Sequence, residues 1–224
     1  MSLVLVGVDE SGASQSALEW ALDDATRTGA SIEVLYAWQP PVYGGYPAHP
    51  LAWGPPEEAL RSCAAAVRSM LFRAGHESPD DAPPCTVTIV ADSAARALER
   101  ASERADVLVV GERPAWPMVR VALGSVALAC LRHPHGVVVI VPERARLKDG
   151  AARVVAGLDE DEHWQHAVRW AAQEASARGA GLELVAVLPA HQWDLAGLSL
   201  GQAASERVLE EGVRRALAAA PESR

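Results

Sequence analysis

Apolar residues in this chain come as short continuous runs, separated by stretches in which they recur at helical spacing. Leu3–Val8 is a continuous apolar run that ends at Asp9, the pattern of a strand buried on both faces. Ser11, Gly12 and Ser14 then offer turn and helix-capping chemistry. Ala17, Ala21 and Ala25, joined by Leu18 and Leu22, share one side of the helix that follows, and Gly29 closes it. Ile32–Ala37 reads as the second strand. Residues 38–56 form a long loop rich in Pro, Gly and aromatics, read equally as a functional lid and as a partner-contact flap. Leu60, Ala64, Val67 and Leu71 predict a helix over 57–74. Thr86–Ala91 is a third strand, followed by a short helix over 93–104 that Asp92 and Ser93 cap. Val107–Val110 is a fourth strand, 111–123 an extended loop, Ser125–Arg132 a helix and Val137–Val141 a fifth strand. Strands alternating with helices imply parallel pairing through right-handed crossovers.

The same pattern starts again at a constant offset. Residues 4–37, VLVGVDESGASQSALEWALDDATRTGASIEVLYA, align without a gap on 154–187, VVAGLDEDEHWQHAVRWAAQEASARGAGLELVAV. Gly7, Asp9, Glu10, Trp20, Gly29 and Glu33 return as Gly157, Asp159, Glu160, Trp170, Gly179 and Glu183. Roughly a dozen identities of this kind mark an internal repeat. The second copy supplies strand, helix and strand, then one more helix near 203–219. The domains expected are therefore a complete one over 1–143, a charged linker over 144–152 and a partial βαβα module over 153–224. A two-stranded sheet with both edges open is marginal alone. The module is thus expected to dock on the first domain or on a second chain, giving a homodimer.

Composition narrows the chemistry. A net charge of −9 argues against general binding to nucleic acid or anionic membrane, whose phosphates need clustered Lys and Arg. Lys148 is the only lysine, which removes a Walker A loop, a Schiff base and a lysine-dependent phosphorelay. Cys63, Cys85 and Cys130 are too few and too scattered for a disulfide framework. Cys63 and Cys130 fall on apolar helix faces and read as buried thiols in a reducing cytoplasm. No basic lead precedes the first strand and no apolar run reaches the roughly 20 residues of a membrane helix, so a soluble cytoplasmic protein is expected.

The strongest local signal is GERPAWPMVRVALGSV, residues 111–126. Gly111 follows the fourth strand, and Gly124–Ser125 opens a helix whose free amides and positive dipole end suit a phosphate. Ser125 is read as the cap. A glycine-bounded loop between strand and helix cradles an anion without lysine. With the VGVDESGAS opening and the LVVG…GSV…VVVIVP finish, the chain resembles the universal stress protein family over residues 3–142, and partially over 153–220. The resemblance implies a doubly wound five-stranded parallel sheet of order 3-2-1-4-5, frequent dimers and, in one subgroup, ATP binding with its accompanying Mg²⁺. That subgroup carries Gly, two residues, Gly, nine residues, Gly, then Ser or Thr. Here the second glycine is Pro114, which lacks an amide hydrogen and fixes φ. Trp116 and Pro117 replace small residues, and Ala127 stands where a hydroxyl is common. Glu112 adds negative charge that Arg113 and Arg120 could offset.

By resemblance the adenosine side is Asp9 with Gly7, and the backbone of Ala37. Val110 and Gly111 lie beside them, and Gly124, Ser125 and Val126 form the phosphate side. The switch point of such a sheet falls between its first and fourth strands, where open α/β sheets bind ligands. Three readings follow: a regulatory protein binding an adenine nucleotide and an unknown protein partner, a ligand-free scaffold acting through dimerisation, and a weak ATPase. No catalytic residue is nominated. The acid–histidine run from Asp159 to His166 reads as a metal site or, more simply, as acids at a helix N-terminus with solvated histidines. His133 and His135 flank a turn proline. Asp9–Glu10 and Asp92 suggest a phosphorelay receiver, but Pro142 and Glu143 stand where its lysine belongs.

Overall fold

A computed structural model describes residues 2–40, 42–43, 46–47, 55–75, 83–112, 124–132, 135–143, 153–158, 164–186, 207, 209–214 and 218. It divides into two units, Met1–Arg146 and Leu147–Arg224. In the first, the elements run β1 (Leu3–Val8), α1 (Gly12–Thr28), β2 (Ser31–Trp38), β3 (Val42–Tyr43), β4 (Tyr46–Pro47), α2 (Glu57–Arg73), β5 (Cys85–Ala91), α3 (Ala94–Ser102), β6 (Val107–Glu112), α4 (Ser125–Arg132) and β7 (Val137–Pro142). β5, β2, β1, β6 and β7 lie side by side in that order, all parallel. This is the 3-2-1-4-5 doubly wound sheet that the family resemblance implies.

The sheet is central because its strands are apolar on both faces. Along β1, Val4, Val6 and Val8 pack on one side with Leu18, Leu22 and Val67 of α1 and α2. Leu5 points the other way, into a cluster with Leu35, Leu98, Leu108, Val110 and Cys130 beneath α3 and α4. Each such side chain taken from water contributes about 1.5–3 kcal/mol, so the two clusters dominate the stability of the unit. α1 is bounded as its sequence indicates. The Ser11 hydroxyl accepts the Ser14 N–H, and Gly29 adopts a left-handed φ of 69° that returns its own N–H to the Ala25 carbonyl.

Three local expectations need correction. The 38–56 segment is not loop throughout, because Val42–Tyr43 and Tyr46–Pro47 pair as a short antiparallel hairpin. β6 extends through Gly111 to Glu112, which pairs with Pro142 of β7. At α3, the Ser93 side chain makes no capping bond. Asp92 instead accepts the Ser93 N–H and pairs with Arg100, so the carboxylate holds the turn.

The second unit contains β8 (Arg153–Leu158), α5 (Trp164–Arg178) and β9 (Gly181–Ala186), with β8 and β9 parallel. Residues 207, 209–214 and 218 are helical, where a last helix is expected. A Cβ on Gly212 would stand 3.0 Å from Leu158 and 3.7 Å from Trp164, so this helix lies against the same small core as α5. The proposed linker over 144–152 falls outside the described residues.

Candidate functional site

The chain leaves β1 through α1 to β2 on one side of the sheet. It comes back through β5 and α3 to β6 on the other, so its direction of winding reverses at β1. A cleft of about 450 Å³ opens there, at the carboxyl ends of β1, β2 and β6 and the start of α4. All eight residues singled out from the sequence line it: Gly7 and Asp9 from β1 and its exit, Ala37 from β2, Val110 and Gly111 from β6, and Gly124, Ser125 and Val126 from the start of α4. Pro114, Trp116, Pro117, Arg113 and Arg120 lie outside the described residues. The sequence reading missed Ser11, Ser14, Leu35 and Leu98, which line the cleft as well.

Asp9 is held in place before any ligand arrives. Its Oδ1 accepts the Ser11 N–H at 2.9 Å and the Ser14 hydroxyl at 2.6 Å. The first bond is an Asx turn, which a carboxylate two residues before an amide forms readily. Ser14 Oγ in turn accepts the Asp9 N–H at 2.9 Å and the Ser11 hydroxyl at 3.3 Å. One buried hydroxyl therefore donates once and accepts twice. The available signal was the Asp-x-Ser-x-x-Ser spacing, in which both serines face back toward the carboxylate from the first turn of α1.

Two glycines let the walls approach. A Cβ on Gly111 would stand 2.5 Å from the Ala13 carbonyl carbon and 2.7 Å from its oxygen. These are backbone atoms of α1 that cannot step aside, so β6 and α1 touch only because this residue has no side chain. A Cβ on Gly7 would meet Leu98 Cδ1 at 2.7 Å, a flexible side chain across the cleft wall.

The start of α4 differs by one residue from expectation. The Leu128 N–H bonds to the Gly124 carbonyl at 2.9 Å, which makes Gly124 the cap and exposed Ser125 the first helical residue. The amides of Ser125, Val126 and Ala127 are then the ones a helix leaves without an intrahelical acceptor. All three residues line the cleft, on the positive end of the helix dipole.

Among the described residues outside the cleft, chemistry is muted. Burial raises the Tyr36 phenol to about 12, with Cys63 and Glu10 adding to the effect. Burial likewise pushes the thiols of Cys63 and Cys130 up, away from the reactive thiolate. Cys63 and Cys130 are buried as expected, and Cys85 is exposed. His166 and His135 are exposed, whereas Asp159–His163 and His133 lie outside the described residues. Among the described residues no helix is long and apolar enough to cross a membrane.

Residues 1–142 match the model of the universal stress protein family. Universal stress protein Rv1996 of Mycobacterium tuberculosis is 30% identical over 206 residues, covering 85% of this chain and 62% of that protein. A universal stress protein of Mycolicibacterium smegmatis is 32% identical over 197 residues, with 85% and 63% covered. The chain thus spans under two thirds of the length of these relatives. A solved universal stress protein of Archaeoglobus fulgidus DSM 4304 superposes with a TM-score of 0.66 at 22% identity, over 94% of this chain and 73% of that one, which supports the fold.

Proposed function

The chain belongs to the universal stress protein family, and on that premise we propose that it is a cytoplasmic stress-response regulator that holds an adenine nucleotide in the β1/β6 cleft. One observation carries the reading. A carboxylate fixed by two donors, an apolar wall and the free amides of a helix N-terminus converge on a single cleft. Asp9 serves as acceptor for the hydroxyl or amino groups of a nucleoside. Leu35, Ala37 and Leu98 offer the base an apolar surface, and the amides at Ser125–Ala127 favour phosphate oxygen. ATP, with Mg²⁺, is the nucleotide that the family resemblance implies.

Titration calorimetry and thermal shift with adenosine, AMP, ADP and ATP test the reading. Binding of at least one of them is expected, weakened about tenfold by Asp9→Asn through loss of a charged acceptor. No heat and no shift at millimolar ligand sinks it. The scaffold reading draws support from Pro114, which removes an amide from the glycine pattern, and it predicts that outcome. We also propose a homodimer. Its support is that, among the described residues, β8 and β9 pair with no strand but each other. A monomeric mass in light scattering overturns it.

A further inference from the structure

We infer that the cleft sorts adenine ligands by phosphate count, with Glu112 and Glu143 as the discriminating residues. It takes the nucleoside or its monophosphate and turns away metal-free di- and triphosphates. The inference rests on the nucleotide reading above and adds the direction of its selectivity.

Side chains alternate between the faces of a strand. On β6, Val109 belongs to the core cluster under α1 and α2, Val110 to the cluster under α3 and α4, and Gly111 faces Ala13 of α1. Glu112 is next in the alternation, so it stands on the Val110 face, the side on which α4 presents its free amides. Glu112 does not itself line the cleft, but it follows Gly111, which does, and so adds a carboxylate at the rim on the α4 side. The second helix start at the cleft is met in the same way. Glu143 Oε1 lies 2.9 Å from where a Cβ on Gly12 would stand, against the first residue of α1.

The two carboxylates leave the same end of the sheet, one toward each helix start. Glu112 pairs in register with Pro142, and Glu143 follows Pro142 directly. Glu112 stands on the face of Val110, under α3 and α4, and Glu143 on the face of Val141, under α1. Among the described residues neither has an ion-pair partner. A nucleoside brings no charge to this rim, whereas each added phosphate brings more, and like charges facing one another across an interface cost affinity. Arg113 and Arg120 are the opposing charges in the connection that follows β6. Their cancelling Glu112 is the alternative that the experiment reads.

The full chain is titrated in magnesium-free buffer containing EDTA with adenosine, AMP, ADP and ATP, as wild type and as Glu112→Gln, Glu143→Gln and Glu103→Gln. Glu103 caps the far end of α3 and serves as the control for net charge. Wild-type affinity is expected to fall from AMP to ADP to ATP. Glu112→Gln is expected to tighten ATP about tenfold while leaving adenosine within about twofold, the effect of removing one nearby like charge. Glu143→Gln, an exposed position that carries the test even if the first variant misfolds, should act in the same direction by a smaller factor. Glu103→Gln should change nothing. Wild-type ATP binding as tight as AMP, or an equal shift of ATP and adenosine in Glu112→Gln, overturns the inference and leaves the nucleotide reading standing. Absence of binding by all four ligands to every form overturns both.

Discussion

The strand–helix–strand unit β1–α1–β2 and its repeat β8–α5–β9 agree closely where they depend on their own residues, and diverge where a neighbour is needed. Both helices end on a left-handed glycine, Gly29 at φ 69° and Gly179 at φ 59°. Ser14, Leu18, Ala21, Leu22 and Ala25 are buried in α1, and their counterparts Trp164, Val168, Ala171, Ala172 and Ala175 are buried in α5. Ala17, however, is buried in the core under α1, whereas Ala167 is exposed. Leu5 and Leu35 are 0% and 3% exposed; Val155 and Val185 are 56% and 38%. The first sheet is sandwiched between helices, and among the described residues the second is covered on one face. Local sequence suffices to build the βαβ unit, but the cleft needs α3, β6 and α4.

The polar positions show the same split. Glu33 is almost buried, accepts the Thr88 hydroxyl at 2.9 Å and takes both oxygens to Arg104, at 2.7 and 2.8 Å. Glu183 is open to solvent and pairs with Arg153, which replaces Leu3 of the first copy. At the cleft, the Ser11 and Ser14 that hold Asp9 return as Asp161 and Trp164. A carboxylate at position 159 thus has no serine at either offset to hold it.

Paired substitutions can break this comparison. The largest contrast is expected between Gly7→Val and Gly157→Val. The first drives a side chain into Leu98 and should cost about 3 kcal/mol, while the second meets nothing within 4 Å and should stay within about 0.5. Equal melting temperatures for the two would refute the view that the copies differ in what surrounds them. Next, Leu5→Ala should destabilise by about 3 kcal/mol in chemical denaturation, against about 0.5 for Val155→Ala. If Val155→Ala costs as much as Leu5→Ala, the second sheet face is covered in solution. The smallest contrast is between Arg104→Ala and Arg153→Ala. Loss of Arg104 strands a carboxylate that is only 10% exposed and should cost about 1–2 kcal/mol. Loss of Arg153 removes a pair exposed by 71% and 45%, and is expected to change stability by less than about 0.5 kcal/mol.

Much of the first unit was legible in the sequence because each central strand is an apolar run and each helix carries its own punctuation. Gly29 needed no tertiary information to end α1, and β1 was plain from Leu3–Val8. What escaped depends on contacts between distant segments. Val155 is as hydrophobic in sequence as Leu5, and its exposure differs because, among the described residues, helices cover both faces of one copy and one face of the other. The reach of β6 to Glu112 follows from pairing with Pro142, and the cap at Gly124 from a single carbonyl bond that Ser125 could equally have made. The cleft residues were found as a set through the motif and the switch point. Ser14 and Leu98 were not, because one grips through a hydroxyl already assigned to capping and the other enters from a helix with no motif of its own.

Gly111 has a mechanical consequence. With its Cα seated on the carbonyl of Ala13, the end of β6 and the first turn of α1 share one joint, and dense interiors transmit displacement rather than absorb it. That first turn also carries Ser11 and Ser14, the two groups that grip Asp9. A pull on the carboxylate is therefore a pull on α1, and through the joint on the strand that leads into residues 113–123. A ligand held on Asp9, as proposed, would therefore load α1 and the end of β6 together.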